Sequence, residues 1–186
     1  MSVNSLRPMF LILLVLSSSS LVFAGWERFD RWEARLLPDN PIQMEQLSTL
    51  AVYTSLVLPL PDIIMGEDPL YDGFSYTTAL AFSYGTKELI KHISGRTRPD
   101  GSDSLSFPSG HATGSAAALG YLLYMNQHRD YTHPAYLYVS IPLQLLTGSG
   151  RVLSRNHYPT DVIAGFAIGF SLGYCLPMAM DAIFNK

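Results

Sequence analysis

The chain has 186 residues, enough for one domain with a substantial core and too few for two comfortable ones. Apolar types make up 48% of the residues and charged types 15%, against about 25% charged in an average soluble domain, which excludes a disordered chain and favours a lipid-facing protein. A formal net charge of -3 provides no basic field for a nucleic-acid backbone, so nucleic acid is not expected as a partner. The single cysteine, Cys175, excludes an internal disulfide and a cysteine-based zinc site.

Residues 1–24 have the order of a secretory signal peptide. A polar start that carries Arg7 is followed by the apolar run 9–16, and small residues precede Gly25. We expect cleavage after Ala24; an uncleaved first transmembrane helix is the alternative, because residues 9–24 are almost long enough to span a bilayer. Both interpretations place Gly25 outside the inner membrane and leave residues 25–186 as a single helical domain.

Residues 26–37 predict a short amphipathic helix, because apolar residues recur at helical spacing with charged residues between them. Its two tryptophans, Trp26 and Trp32, suit the headgroup zone of a bilayer. Packing of this apolar side on the core of the protein is the alternative.

Five further segments are poor in charge and separated by Pro or Gly residues: 46–61, 74–86, 112–127, 133–150 and 162–180. No strictly alternating strand pattern persists, so the sequence predicts an all-α fold, a helical bundle with several transmembrane helices. If all five segments cross the membrane, starting outside, the loops that contain Arg98 and His157 emerge on the same outer face. The acidic loop 62–72 would then lie inside, against the positive-inside tendency, and a soluble exported helical domain is the alternative.

Six of the twelve basic residues fall in two short stretches that also hold unusual polar motifs. The first stretch carries Lys91 at the end of an apolar helix and Arg98 beyond the break at Gly95. The Lys91 ammonium, a point charge, and the planar Arg98 guanidinium could therefore bind the same anion. A solvated helix end, whose cations interact with the helix dipole, is the alternative.

The second motif is Pro-Ser-Gly-His at residues 108–111, followed by a run of small residues at 112–118 that allows close helix packing. Ser109 is a candidate N-cap, and free N–H groups beside Gly110 would form an anion site. His111 would lie in the first helical turn, next to whatever binds there. A hydrogen-bonded structural histidine is the alternative.

The third motif joins Arg151 to His157 and Asp161 at the start of the last apolar helix, where Pro159 suits the first turn. His157 and Asp161 are four residues apart and can approach each other across that turn. A carboxylate that accepts an imidazole N–H fixes the tautomer and raises the basicity of the other nitrogen, as a nucleophilic histidine requires. Asp161 as a helix cap alone is the alternative.

The order of these motifs resembles the tripartite signature of the phosphatidic acid phosphatase type 2 superfamily, which also includes bacterial nonspecific acid phosphatases and vanadium-dependent haloperoxidases. The matching elements are Lys-x6-Arg-Pro at residues 91–99, Pro-Ser-Gly-His at 108–111 and Arg-x5-His-x3-Asp at 151–161. The chain is most similar to the small bacterial membrane lipid phosphatases of this superfamily. Gly150 is a departure, since a serine usually precedes the third-motif arginine, and it affects only a secondary hydrogen bond.

The resemblance implies that His157, oriented by Asp161, attacks phosphorus to form a phosphohistidine. His111 would protonate the departing alcohol oxygen and later take a proton from water. The resemblance implies no metal and no cofactor. It places the phosphate-binding role on five residues: Lys91, Arg98, Ser109, Gly110 and Arg151.

We therefore expect a metal-independent phosphatase that hydrolyses phosphomonoester or pyrophosphate groups of lipid substrates at the outer face of the inner membrane. A soluble exported nonspecific acid phosphatase is the main alternative. A haloperoxidase and a nonenzymatic phosphate-binding scaffold are others. The residues do not choose among phosphatidate, phosphatidylglycerol phosphate, undecaprenyl diphosphate and a lipid A phosphate, and they leave the oligomeric state open.

Arg96 and Arg155 lie beside matched positions but outside the signature, and we expect them to be solvated. Extension of the phosphate site, or contact with anionic lipid headgroups, is the alternative for both. His92, His128 and His133 have no evident partners in the sequence and are expected to be structural or surface residues.

Overall fold

The computed structural model describes residues 26–184, which contain seven α-helices and no β-strand. The predicted all-α bundle is therefore confirmed, while the signal peptide or first transmembrane helix expected at residues 1–24 lies outside the described residues. The helices are α1 (Trp26–Glu33), which continues into a short 3₁₀ turn (Ala34–Leu36), α2 (Glu45–Val57), α3 (Leu60–Met65), α4 (Pro69–Ser94), α5 (Gly110–His128), α6 (Pro134–Leu153) and α7 (Pro159–Phe184).

Proline marks the start of three of the four longest helices, α4, α6 and α7. The missing proline N–H is harmless in the first turn, where it would have no partner within the helix. The segment predicted at 46–61 is divided into α2 and α3 around Pro59. Helix α4 continues eight residues beyond the predicted segment 74–86, because its charged last turns belong to the same helix.

The contact between α5 and α7 is the closest in the bundle. Gly165, Gly169 and Gly173 lie four residues apart on α7, and a Cβ atom at any of them would overlap a backbone carbonyl of α5 or of its N-cap residue. Helix α5 faces them with the small-residue run 112–118. The two helices run parallel at backbone contact, as small residues at this spacing allow.

All three motifs meet at one end of the bundle, which we name the site end. Helices α4 and α6 finish there, and α5 and α7 begin there. The Ser109 N–H donates to the Asp161 carbonyl oxygen at 2.9 Å, and Arg98 lies 3.2 Å from His157. The loops that contain Arg98 and His157 are thus on the same side, as the counting of segments predicts.

A second network of charges lies at the opposite end. Arg129 donates to both carboxylate oxygens of Asp181, at 2.9 and 3.0 Å, and forms an ion pair with Asp72 at 3.4 Å. His133 contacts Asp62 through Nδ1 at 2.6 Å. Of the four acidic residues in the loop 62–72, Asp62 and Asp72 are therefore buried and paired, while Glu67 is exposed. Three tyrosine hydroxyls also donate to this network: Tyr71, Tyr124 and Tyr131.

Large apolar side chains cover the outside of the bundle between these two ends. A bundle in water buries such side chains on its inner faces, so their exposure favours contact with lipid. Two stretches, Glu45–Met65 and Pro159–Phe184, are long and apolar enough to cross a bilayer. The exposed residues include Leu47, Leu50, Tyr53, Val57, Phe74, Phe82, Leu89, Ile93, Ile141, Leu145 and Ile163.

Helix α1 turns its apolar side away from the bundle. Phe29 is 46% exposed, and Trp32 and Leu36 are each 55% exposed. For these three residues the alternative of packing on the core is therefore wrong, because the polar side of α1, with Glu33 fully buried, faces the protein instead. Leu37, at the end of the predicted segment, is buried. The side chain of Trp26 is outside the part of the structure that is described.

Replacing Gly169 by alanine tests the α5–α7 contact. The added methyl group would meet the Thr113 carbonyl, so the helices must move apart, and we expect a loss of about 1–3 kcal/mol in the free energy of unfolding. Gly85→Ala is the matched control, since no atom from elsewhere in residues 26–184 lies within 4 Å of a Cβ there. Thermal unfolding of both variants in one detergent, followed by circular dichroism, measures the difference. Equal midpoints would contradict the packing.

Candidate active site

The turn that ends α6 places His157. Arg155 has a φ of 57°, in the left-handed region, and its N–H bonds to the Val152 carbonyl at 3.0 Å. The Asn156 N–H bonds to the Arg151 carbonyl at 3.1 Å, which completes a Schellman motif with arginine where glycine is usual. The His157 N–H reaches the same Arg151 carbonyl at 3.2 Å. The spacing between Arg151 and His157 is thus fixed by backbone hydrogen bonds.

Asp161 lies in the first turn of α7 and accepts hydrogen bonds on both carboxylate oxygens. Its Oδ2 accepts the Tyr158 N–H at 2.9 Å and the Ser106 hydroxyl, while Oδ1 accepts from Arg96 at 2.6 Å. The same Oδ2 is 3.6 Å from Nδ1 of His157. The carboxylate therefore caps the helix and also faces the imidazole, so the two alternatives raised by the sequence do not exclude each other.

The His157 ring is buried, with 2% of its surface exposed, and its two nitrogens face different groups. Nδ1 points towards Asp161, while Nε2 is 3.2 Å from Nη1 of Arg98. Because a guanidinium has no acceptor, Nε2 must be the accepting nitrogen, and we assign the ring proton to Nδ1 on this basis. The Nε2 lone pair therefore points towards the cations of the site.

Burial lowers the pKa of His157 to about 4, from an ordinary value of 6.5. The Asp161 carboxylate opposes this lowering of the pKa, and the positive charges of Arg98 and Arg151 add to it by smaller amounts. The imidazole is consequently neutral at pH 7, and its Nε2 carries no proton and faces Arg98.

Lys91 and Arg98 line the site from the end of α4 and from the loop that follows it. Lys91 is only 6% exposed and donates to the Leu105 carbonyl oxygen, so the alternative of a solvated helix end is wrong for this residue. Arg98 donates through Nε to Asp103 at 2.7 Å and through Nη1 to the Asn156 carbonyl at 3.1 Å.

The Pro-Ser-Gly-His motif forms the start of α5. Ser109 occupies the N-cap position, but its side chain makes no cap hydrogen bond, and its buried hydroxyl has no partner among residues 26–184. Gly110 begins the helix, where the first N–H groups have no partner within the helix. Nε2 of His111 is 3.2 Å from the Thr49 hydroxyl of α2. Nothing in the sequence around Thr49 signals this contact.

Arg151 completes the cluster from the last turn of α6. Its side chain is buried, and Nη1 reaches Glu45 only at 3.4 Å. Its Nε, like the Ser109 hydroxyl, is a buried donor without a partner in the described part of the chain. Buried donors of this kind are rare in folded proteins. Ser109 and Arg151 place two such donors in one cationic cluster, which indicates a site that accepts an anion. Nδ1 of His157 also has no hydrogen-bond partner among the described residues, but it faces Asp161 at 3.6 Å.

The structure brings all the predicted site residues to the site end, and the charges of Arg98 and Arg151 act on both histidines. Positive groups and unpartnered donors suit a tetrahedral oxyanion such as a phosphoryl group. Within residues 26–184, no three His, Cys, Asp or Glu side chains are grouped as a metal ion would require. The residues brought together are Lys91, Arg98, Ser109, Gly110, His111, Arg151, His157 and Asp161.

Arg96 is buried, so the expectation that it is solvated is wrong. Its guanidinium donates to Asp161 at 2.6 Å, to Glu33 at 2.5 Å and twice to Asp30, at 2.9 and 2.7 Å. It also lies over the Tyr158 ring, 4.2 Å from the centroid. The carboxylates come from α1 and α7, which are far from Arg96 in sequence, so a local pattern could not reveal the network.

Glu33 joins α1 directly to α7. Its carboxylate accepts the Thr160 N–H at 2.8 Å and the Thr160 hydroxyl at 2.6 Å. That N–H belongs to the first turn of α7, where amides lack partners within the helix and a negative charge is favoured by the helix dipole. Helix α1 is thereby fixed to the helix that carries Asp161.

The other residues outside the signature take no part in the cluster. Arg155 is partly exposed and donates to the Asp39 carbonyl oxygen at 3.2 Å. His92 is exposed, and His128 stacks on the Tyr124 ring at the opposite end of the bundle. We expected these two histidines to be structural or surface residues, and their positions agree with this expectation.

A sequence profile of the PAP2 superfamily matches residues 72–184, which is more than half of the chain and contains all three motifs. The chain belongs to this superfamily. PAP2 is the phosphatidic acid phosphatase type 2 superfamily, so the resemblance seen in the motifs is confirmed.

Several curated relatives align with part of the chain. A lipid A 1-phosphatase of Porphyromonas gingivalis is 36% identical over 108 residues, which are 57% of this chain and 23% of the relative. A lipid A 1-phosphatase of Rhizobium etli is 37% identical over 51% of this chain and 45% of its own length. A decaprenylphosphoryl-5-phosphoribose phosphatase of Mycobacterium tuberculosis is 36% identical over 46% of this chain and 48% of its length. The chain thus spans less than half the length of each of these relatives.

The crystal structure of a transmembrane PAP2-type phosphatidylglycerolphosphate phosphatase from Bacillus subtilis has the same fold. The TM-score is 0.69, with 18% sequence identity, and the match covers 96% of this chain and 97% of the other. The shared fold extends beyond the signature residues to nearly the whole helical bundle.

The ionisation of His157 gives a direct test of its surroundings. Because the folded protein holds the ring neutral, its titration midpoint should lie near pH 4 and well below 6.5. Unfolding then takes up a proton between these values, so this residue makes the protein less stable as the pH falls from 6.5 towards 4. NMR titration of histidine-labelled protein in detergent, assigned with His157→Gln, measures the midpoint. A value at or above 6.5 would contradict the assignment.

The variant Arg96→Met tests the buried charge network. It leaves Glu33 and Asp161 buried without their counter-ion, which typically costs about 3–5 kcal/mol. The difference in stability from the wild-type protein should narrow at mildly acidic pH, because protonation of the carboxylates removes their unpaired charge. Arg35→Met, at an exposed position, is the control and should change little. Unfolding midpoints at several pH values measure the effect, and a loss independent of pH would argue against the network.

Proposed function

We propose that the protein is a phosphatase that hydrolyses phosphomonoester or pyrophosphate groups of lipids through a phosphohistidine intermediate. The observation that carries the proposal is the buried, neutral His157, whose Nε2 faces Arg98 while Nδ1 faces the Asp161 carboxylate. Membership of the PAP2 superfamily supports it, as do relatives named as phosphatases of lipid A and of a decaprenyl-linked sugar phosphate.

The cations account for substrate binding in this proposal. A phosphomonoester carries nearly two negative charges at neutral pH, which Lys91, Arg98 and Arg151 would neutralise. The unpartnered Ser109 hydroxyl and Arg151 Nε would donate to its oxygens, together with the Gly110 N–H. Positioning and charge stabilisation supply most of the catalysis in phosphoryl transfer, so these residues matter as much as the nucleophile.

The two histidines account for the chemistry. Nε2 of His157 attacks phosphorus, a nitrogen–phosphorus bond forms, and the bond to the leaving oxygen breaks as His111 protonates that oxygen. The Asp161 carboxylate stabilises the positive charge that develops on the imidazole. Water then attacks phosphorus and gives its proton to His111, which releases phosphate and restores His157. Thr49 would orient the His111 ring during both steps.

The surface of the bundle supports an integral membrane location, and we propose that the active site lies at headgroup depth on the periplasmic or exterior face. Exposed apolar side chains surround the helices, and they disfavour the soluble exported alternative. Phe29 and Trp32 of α1 are exposed near the site end, where aromatic side chains suit the interfacial layer. A lipid substrate would then present its phosphate to the cations while its chains stay in the bilayer.

The variant His157→Ala should lose at least about 10³-fold in phosphate release, because no other residue supplies the attacking nitrogen. Inorganic phosphate should still bind, since the cations remain. His92→Ala, an exposed histidine, is the control and should keep full activity. Activity should persist in EDTA, and acid-labile labelling by a radioactive substrate should disappear only with His157.

Activity is measured as phosphate release by purified protein from phosphatidate and from a water-soluble monoester. Carbonate extraction of membranes, carried out in parallel, tests the membrane location. An active His157→Ala variant or inhibition by EDTA would refute the mechanism. Extraction of the protein into the carbonate-soluble fraction would refute the membrane location.

A further inference from the structure

A groove leads from His111 along the side of the bundle between α2, α4 and α5. Its volume is about 360 Å³. The end nearest the site is polar, with Thr49, Lys87 and Gly110 beside His111. The remainder is walled by apolar side chains, including Val52, Leu56, Leu80 and Tyr84.

Ser83 lines the apolar part of this groove and carries a buried hydroxyl. Its side chain is 1% exposed, and its Oγ has no hydrogen-bond partner among residues 26–184. A serine within a helix commonly donates to the carbonyl four residues earlier, as Ser55 of α2 does to Ala51 at 2.9 Å. Ser83 lacks this bond, so its hydroxyl is left unsatisfied at the wall of the groove. A polar group in this position is unfavourable unless something in the groove bonds to it.

The position of Ser83 relative to the phosphate site follows from helix geometry. Lys91, Lys87 and Ser83 are spaced four residues apart and share one face of α4. Along the helix axis, Lys87 is about 6 Å and Ser83 about 12 Å from Lys91, in the direction away from the site end. A substrate with its phosphate at Lys91 and its leaving oxygen at His111 therefore extends past Lys87 towards Ser83.

We propose that the groove holds the linkage between the phosphate and the hydrocarbon chains of the substrate, and that Ser83 donates a hydrogen bond to an acyl carbonyl oxygen of that linkage. This inference rests on the proposed function and narrows its substrate class to acyl-linked lipid phosphates. An ester or amide carbonyl is a good acceptor at this depth. A polyprenyl chain has no acceptor there, and an ether-linked lipid offers only a weaker ether oxygen.

The experiment compares dioleoyl phosphatidate with its ether-linked analogue, dioleyl glycerol phosphate, on the same sample of purified protein in detergent. The ratio of kcat/KM for ester over ether should be about threefold to tenfold in the wild-type protein, as one neutral hydrogen bond provides. In Ser83→Ala the ratio should fall to near one. Because both substrates are measured on one sample, partial unfolding lowers both rates and leaves the ratio unchanged.

Ser75→Ala is the matched control. Ser75 lies on the same helix, is equally buried and also has an unpartnered hydroxyl within the described residues, but it does not line the groove. Replacing Ser75 by alanine should leave the ester-to-ether ratio of kcat/KM at the wild-type value. Farnesyl phosphate serves as a polyprenyl probe and should be a poorer substrate than the ester for the wild-type protein.

The outcomes separate this inference from the proposed function. Retention of the full ratio in Ser83→Ala, an equal loss in Ser75→Ala, or a wild-type preference for farnesyl phosphate would overturn the role of Ser83 while phosphatase activity stands. Failure of the wild-type protein to release phosphate from either lipid and from a water-soluble monoester would instead refute the proposed function itself.

Discussion

The structure depends on one positive charge shared by three carboxylates. The Arg96 guanidinium is enclosed by Asp30 and Glu33 of α1 and by Asp161 of α7. The side chains of Arg96, Glu33 and Asp161 are fully buried, so each loses its hydration and needs an opposite charge in return. Asp30 keeps part of its exposure to solvent. The docking of α1, the start of α7 and the orientation of the Asp161 carboxylate are therefore parts of one arrangement.

The cations of the signature, unlike Arg96, are not neutralised by buried carboxylates. Arg98 and Arg151 meet their carboxylate partners, Asp103 and Glu45, at the rim of the site, where those carboxylates are 42% and 61% exposed. Solvent weakens such pairs, so the cations keep most of their attraction for an incoming anion. The same positive field helps to keep the His157 ring neutral. A cationic pocket and an uncharged imidazole thus arise from the same groups.

The candidate site was largely predictable because each motif is local. Pro159 and Asp161 mark the start of α7, and the Pro-Ser-Gly-His segment marks the start of α5, so spacing alone brings their functional groups to helix ends. The small residues predicted to allow close packing do face the glycines of α7. The all-α class followed from the same breakers and apolar runs, but the number of helices did not, because the segment predicted at 46–61 is divided into α2 and α3.

The features that could not be predicted from the sequence depend on contacts between segments that are distant in the chain. The burial of Arg96 is decided by which helix docks beside it, and the partners lie more than sixty residues away. Contacts between distant segments also determine two other features: the contact of Thr49 with His111, and the position of Ser83 in a groove. The start of α4 was missed, because the helix begins at Pro69 within the loop expected at 62–72, whereas its end between Lys91 and Gly95 was expected.

The distance between the two charged ends has a consequence for the surrounding membrane. Helix α5 has 19 residues, about 28 Å, and separates His111 from the Arg129 network. In a bilayer, both ends are held in polar layers, so the helix length matches a hydrocarbon thickness close to the typical value of about 30 Å. A thinner or thicker membrane creates hydrophobic mismatch that the bundle relieves by tilting. For the lipid phosphatase proposed above, the depth of the site relative to the lipid headgroups would thereby be linked to the acyl-chain length of the host membrane.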